Sequence, residues 1–378
     1  MFSLDRFYYI LHDNLISFLP EGKSVWFFPF GTYDDWMYLD TPTTLESGPK
    51  QHIHCFFFDQ EPYYDFNLDT LGVPIKRLRQ MNRTSILANS EHSEIKQQFL
   101  QSYNMKDWYY FYHGFAALDW YRDFQYLHPR AFDQFDKVFI CYNHLISNLR
   151  SHRLHLVSNL IKNNLTKYGH VSLFLQDETG TWQDTVNSPD TPLDPRACSI
   201  IQDTLSKVNE PLIIDTDTPN GSLSANVDIN QLTSALWHVV TETVYFLPKL
   251  HLTEKVFKPI VAKRPFILVA APGNLAYLKS YGFKTFGRWI DESYDLEQDH
   301  YIRIEKITAE IAKLCAMDRT ALEQMHTEMK EILEYNFNHF YTTFKELIIN
   351  ELVVNFNSVI PYDLPPEYLA EVKTRLAR

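Results

Sequence analysis

Residues 252–259, Leu-Thr-Glu-Lys-Val-Phe-Lys-Pro, set a capping threonine, a carboxylate and two cations at close spacing. Thr253 is an N-cap candidate, and Leu252 and Phe257 could form a hydrophobic staple, so a helix would start at Glu254. Pro259 would then fall in the second turn, where its missing N–H and its ring cost about 3 kcal/mol. Either the first turn is irregular or the regular helix begins near Pro259. One reading of Glu254 and Lys258 is a surface i,i+4 pair worth about 0.3–0.5 kcal/mol. It does not explain why the irregular turn stands directly before an apolar run at 264–270, nor why a second carboxylate, Glu242, ends the strand upstream. The other reading is a nucleotide site. A helix N-terminus with Lys255 and Lys258 would hold a diphosphate, and Glu254 could accept hydrogen bonds from a ribose. Lys263 and Arg264 read as surface charge.

A second concentration of cations lies about a hundred residues upstream. Between Asp136 and Asp177 the chain has 40 residues and no acid, whereas 47 acids in 378 residues would place about five there. The window holds Lys137, Arg150, Arg153, Lys162, Lys167 and four histidines, a local inversion in a chain of net charge -12. Arg150 and Arg153 fall at or just before the first turn of a helix that follows an apolar strand. Cations there oppose the helix dipole, and a local cost of that kind marks a functional site. Such a start with arginines added suits a phosphate; the plainer reading is a solvated basic patch.

The elements that must position these groups alternate short apolar runs with amphipathic segments. Strands are expected over 24–30, 52–58, 84–89, 108–113, 137–143, 170–175, 210–215, 235–242 and 264–270. Their runs are continuous rather than alternating, as in a parallel sheet covered by helices on both faces. The class is therefore α/β, doubly wound. Residues 179–196 and 215–228 read as loops, and 340–356 as an amphipathic helix before a last polar helix. The expected boundaries give an N-terminal domain over 1–132, a second domain over 133–345 and a helical tail over 346–378 that crosses back to the first.

Composition narrows the classes. With 27 Phe, 23 Tyr and 7 Trp the chain can bury substantial cores, and 11 Gly argue against a glycine-rich nucleotide fingerprint. The acidic balance disfavours nucleic acid as a partner. Cys55, Cys141, Cys198 and Cys315 are far apart and lack zinc spacing, so free thiols in a reducing compartment are expected. No run approaches the roughly 20 apolar residues of a membrane span. The amino-terminal segment, broken by Asp5, Arg6, His12 and Asp13, lacks a signal-peptide core. A cytoplasmic protein follows, with the sequons at Asn82, Asn164 and Asn220 accidental.

The run "TEKVFKPIVAKRPFILVAAPGNLAYLKSYGFKTF", followed by "IDESYD", resembles the donor-binding half of GT-B glycosyltransferases. It is similar to the Thr-Glu-Lys region of the α1,3-fucosyltransferase family, and more so to related glycosyltransferase-like proteins, many of them phage-encoded. In those a "CLNR…R..HR" element precedes it. Here "CYNHLISNLRSHR" (141–153) keeps Arg150 and Arg153, but His144 stands where arginine is usual, which sets it aside as a phosphate ligand. The resemblance covers about 136–305 and the N-terminal half only loosely. It implies two Rossmann-like domains facing across a cleft, with a C-terminal helical segment. It also implies transfer of a sugar from a nucleotide-sugar to an acceptor hydroxyl, inverting and with no metal or other cofactor. Glu254 would contact the ribose and Lys255 the diphosphate, with Arg150 or Arg153 alongside. Lys258, Asn143 and Glu242 complete the expected donor set. The acceptor could be a glycan, a protein or a modified nucleotide.

Inverting transfer needs a base to take the acceptor proton. Asp59 and Glu61 fall at the carboxyl end of the Phe56–Phe58 strand, where open α/β sheets bind ligands. Glu61 is the first choice and Asp59 the second; the alternative is a loop acid that solvates a strand end. His113, expected at another strand end, is a candidate for contact with donor or acceptor. Asn89 or Ser90 is expected to cap the following helix. Asp215 and Asp217 form a DxD, the metal–nucleotide pattern of the GT-A fold, but Thr-Pro-Asn-Gly directly after makes a turn the better reading. A metal-dependent transferase using these two aspartates remains an alternative, as does a non-catalytic glycan-binding or virion protein on the same fold, where Trp36, Trp108 and Trp120 would serve for stacking.

Overall fold

The computed structural model describes residues 7, 24–28, 52–63, 84–126, 135–214, 228–360 and 364–378. The chain divides into two compact units, Met1–Arg122 together with Thr343–Arg378, and Asp123–Thr342. Both are α/β with parallel sheets, the class expected from the apolar runs.

In the first unit β1 (Ser24–Phe28), β2 (His52–Phe58), β3 (Thr84–Asn89) and β4 (Lys106–Tyr109) form a parallel sheet in that order. Cys55–Phe58 and Ser85–Asn89 are buried at every position. A sheet covered on both faces has no solvent side for polar residues to mark, so its strands do not alternate. Phe56, Phe58 and Leu87 pack with Tyr63, Phe99, Leu100 and Met105. The helix Glu94–Tyr103 is opened by Ser93, whose hydroxyl accepts the Lys96 N–H at 3.2 Å. The expected cap at Asn89 or Ser90 is thereby corrected. Asn89 ends β3 and binds Lys96 and Asp107, while Ser90 Oγ accepts the Tyr112 N–H. The expected strand over 108–113 also ends early. β4 stops at Tyr109 and a helix runs from Tyr112 to Trp120 with Tyr112–Asp119 all buried. A fully buried aromatic run has no periodicity to separate strand from helix.

The second unit holds β5 (Lys137–Cys141), β6 (Gly169–Val171), β9 (Ala235–Thr241) and β10 (Phe266–Val269) in the parallel order β10-β9-β5-β6, with a small hairpin of β7 (Gln176–Asp177) and β8 (Gly180–Thr181). Of the run at 210–215, the described residues 210–214 contribute a bridge between Leu173 and Leu212 in place of a strand. Helices His300–Ala316 and Arg319–His339 follow. The chain then returns to the first unit through a π-helical turn, Phe340–Phe344, that leads into Lys345–Val359. That last helix packs on β4. Trp108 Nε1 donates to the Leu352 carbonyl at 3.1 Å, and Asn355 Nδ2 to that of Tyr109 at 2.9 Å. No helix among the described residues is long and apolar enough to cross a membrane, and all four cysteines are free thiols.

Candidate functional site

β6 lies on one side of β5 and β9 on the other, so the chain leaves β5 in one direction and returns on the opposite side. Such a switch point opens a crevice at the carboxyl ends of the strands, where α/β sheets bind ligands. Residues 142–151 leave β5 there and residues 242–253 leave β9. Arg150, Arg153, Glu242, Glu254 and Lys255 all belong to these two segments or to the turns that directly follow them.

The strand ends are fastened by polar side chains. Asn143 is buried, and its Nδ2 donates to the Ser172 carbonyl at 3.0 Å and to Cys141 Sγ at 3.2 Å. The Thr241 hydroxyl lies 3.0 Å from both Asn143 Oδ1 and the Tyr142 carbonyl. These contacts use both N–H groups of the Asn143 amide and tie β5, β6 and β9 together. The following loop is held from the hairpin, where Asp177 Oδ2 accepts the Ile146 and Ser147 N–H groups at 2.9 and 3.0 Å. Burial works to raise the Asp177 carboxyl, but hydrogen bonds from Ile146, Thr179 and Ser147 outweigh it and hold it at about 2. Asp177, the acid that closes the acid-free window, was the available signal for this anchor.

Arg153 is the second residue of helix His152–Lys162 and only 5% exposed. Its Nη1 donates to the Leu145 carbonyl at 2.8 Å and its Nη2 reaches that of Thr241 at 3.5 Å, whereas its buried Nε has no hydrogen-bond partner among the described residues. Burial lowers the guanidinium to about 10, Arg150 pulls the same way, and Glu242 and Glu254 oppose. Arg153 therefore stays charged at neutral pH. Arg150 is half-buried in the preceding turn, Asn148–Arg150. Ser151, at the N-cap position, makes no capping bond, and its buried hydroxyl has no partner among the described residues.

Across the switch point Thr253 caps a single 3-10 turn, Glu254–Val256, and an α-helix runs from Phe257 to Val261. The turn is thus irregular, and Pro259 sits in the first turn of the regular helix, where no N–H is needed. Glu242, fully buried at the end of β9, holds this turn in place. Its Oε2 accepts the Thr253 N–H at 3.2 Å and the Thr253 hydroxyl at 2.5 Å. Lys255 Nζ donates to Thr253 Oγ1 at 3.2 Å and to Glu254 Oε1 at 3.0 Å. Glu254 is buried and Lys255 is partly exposed, with 29% of its side chain accessible. Lys258 Nζ stands 5.9 Å from the centre of the Tyr142 ring.

Two expected surface cations are corrected. Arg264 is 1% exposed, donates to the Thr233 carbonyl at 2.8 Å and approaches His326 Nε2 at 3.5 Å. Lys263, in left-handed backbone, pairs with Glu334 at 2.7 Å. The residues of "GFKTF" and "IDESYD" are likewise structural. Asp295 accepts the Leu275 and Ala276 N–H groups at the start of helix Asn274–Ser280, and Glu292 binds Thr285, Phe286 and Lys279. Arg303, which the sequence did not single out, donates to the carbonyls of Tyr245, Ala270 and Glu297 from a buried position.

In the first unit Glu61 is exposed just past the end of β2, while Asp59 is fully buried and receives the Tyr110 hydroxyl. His113 is not at a strand end but in the first turn of helix Tyr112–Trp120, buried, with Nε2 2.9 Å from the Gln60 carbonyl. Glu91, also unremarked in the sequence, is buried and binds the Tyr63 N–H at 2.9 Å and the Ser93 hydroxyl. Trp36, Asp215 and Asp217 lie outside the described residues.

No protein-family model matches the sequence, and no curated protein matches it. Among solved structures the chain is similar to WaaG, a glycosyltransferase involved in lipopolysaccharide biosynthesis, with 10% identity over 90% of this chain and 96% of that chain and a TM-score of 0.37.

Proposed function

We propose that the protein is a glycosyltransferase that moves a sugar from a nucleotide-sugar donor to an acceptor hydroxyl, with inversion and without a metal. The observation that carries this reading is the gathering of Arg150, Arg153, Lys255 and the Thr253–Glu254 turn at the switch point of the second sheet. Cations with an open helix start suit a diphosphate, and a carboxylate beside them suits a ribose diol. In single displacement the acceptor oxygen bonds to the anomeric carbon while the bond from that carbon to the diphosphate oxygen breaks. The departing diphosphate gains negative charge, which Lys255, Arg150 and Arg153 stabilise because they are already in place. Lys258 is a further cation toward the donor. Asn143 and Glu242 act on the donor through the backbone they hold.

The acceptor proton is assigned to Glu61, whose exposure leaves it open to a substrate; Asp59, buried under Tyr110, is the second choice. His113 is assigned a supporting contact in the first unit. The acceptor is a glycan, a protein or a modified nucleotide.

Turnover with a panel of nucleotide-sugars tests the reading. An active wild type, a folded but inactive Lys255→Ala and retention of activity in EDTA are expected. Loss of turnover in EDTA would point instead to metal-dependent chemistry at Asp215 and Asp217. No transfer or hydrolysis of any nucleotide-sugar would leave a glycan-binding protein.

A further inference from the structure

We propose that Glu242 couples anion binding to proton uptake, its carboxyl carrying a proton when a phosphate group occupies the site beside Arg153 and Lys255. The inference rests on the reading of that site as a phosphate site and adds how it is regulated.

Geometry isolates one half of this carboxyl. Oε2 is held by the N–H and the hydroxyl of Thr253, but Oε1 is buried and has no hydrogen-bond partner among the described residues. A buried polar atom left unmatched calls for an explanation, and a proton on Oε1 removes the bare charge. The backbone N–H of Glu242 is committed to the Val269 carbonyl at 3.0 Å, which fixes the position of the side chain.

The charges around it come from several elements. The Thr253 turn supplies Glu254 and Lys255, helix His152–Lys162 supplies Arg153, and the turn before it supplies Arg150. Arg303 of helix His300–Ala316 is spent on the carbonyls of Tyr245 and Ala270, and His152 is stacked on the Tyr245 ring at 4.5 Å. With Glu242 and Glu254 both ionised, the two carboxylates offset two of the three nearby cations. Protonation of Glu242 leaves a more positive site, which favours a multiply charged anion. Burial already raises this carboxyl, and Glu254 adds to that, against Lys255 and Thr253. An anion brought alongside raises it further, since like charges disfavour the ionised form.

The sign follows from linkage. The bound state holds the proton to higher pH than the free state, so affinity is greatest below the free-state value and falls as pH rises toward the bound-state value. Titration calorimetry of the full chain with pyrophosphate and with nucleoside diphosphates, in two buffers of different ionisation enthalpy, counts the protons exchanged. Wild type is expected to take up more protons than Glu242→Gln, by up to one. The ratio of wild-type to variant affinity is expected to fall as pH rises, by about tenfold for a one-unit difference between free and bound states. Comparison at each pH cancels the titration of the ligand itself. Equal proton counts and parallel pH profiles overturn the coupling while leaving the phosphate site intact. Absence of any binding to wild type overturns both. If Glu242→Gln does not fold, the two-buffer titration of wild type decides: uptake beyond the ligand's own protonation supports the coupling, and none overturns it.

Discussion

The Thr253 hydroxyl is the joint through which Glu242 holds the Glu254–Lys255 turn, and Thr253→Val removes it with little change of shape. Three contacts are lost: the 2.5 Å donation to Glu242 Oε2, the 3.2 Å bond from Lys255 Nζ and the 3.5 Å bond from the Lys255 N–H. The last is at the long limit and adds little. The first leaves a buried carboxyl with one hydrogen bond in place of two, and leaving a buried polar group short of a partner costs about 1–3 kcal/mol. With a small addition from the partly exposed Lys255 the sum is about 2–3 kcal/mol. For a unit the size of Asp123–Thr342 that corresponds to a fall in Tm of about 5–10 °C. Thr253→Ser keeps the hydroxyl and is expected to recover most of the loss. Thermal melts of the two variants near pH 7 check this. A Thr253→Val melt within about 1 °C of wild type, or a Thr253→Ser melt as low as that of Thr253→Val, refutes the role given to the hydroxyl.

Three further outcomes are expected. Arg264→Ala lowers unfolding free energy by about 3 kcal/mol because it strips a buried donor from the Thr233 carbonyl, whereas Lys263→Ala costs less than about 1 kcal/mol, and urea melts separate the two. Asp177→Asn lowers Tm at neutral pH and flattens the acid limb. The wild-type carboxylate contributes stability above its unfolded value of 3.8 that is lost as pH falls through about 2, so melts between those limits show the difference. A Cβ at Gly114 would stand 2.9 Å from Phe344 Cζ and 3.2 Å from Ile348 Cδ1, so Gly114→Val costs about 2–3 kcal/mol in the first unit, read by denaturant melts.

The strands were legible because continuous apolar runs such as His52–Phe58 and Ala235–Thr241 are bounded by turn formers and cannot rest on a solvent-facing sheet. The oddity of Pro259 was legible as well, since a proline inside a capped helix start forces an irregular turn. What the sequence could not display was long-range pairing. Asn143 read as a donor contact, and nothing in the sequence showed that its amide also binds Ser172, Cys141 and Thr241, a partner 98 positions away. Arg264 read as surface charge because a one-dimensional pattern carries charge but not burial. The carbonyl that satisfies it belongs to Thr233, 31 positions upstream. His113 was misplaced for a related reason. Its helix is buried along the whole length from Tyr112 to Asp119 and so lacks the polar stripe that would distinguish it from a strand.

The central claim is a phosphate site at the switch point of the second sheet, and titration calorimetry of UDP, GDP, CMP and dTDP against wild type and Lys255→Ala tests it most directly. One diphosphate is expected to bind wild type with affinity that falls as salt is raised, and Lys255→Ala is expected to bind it at least about tenfold more weakly while remaining folded at the assay temperature. No binding by any of the four nucleotides, or equal binding by wild type and Lys255→Ala, contradicts it.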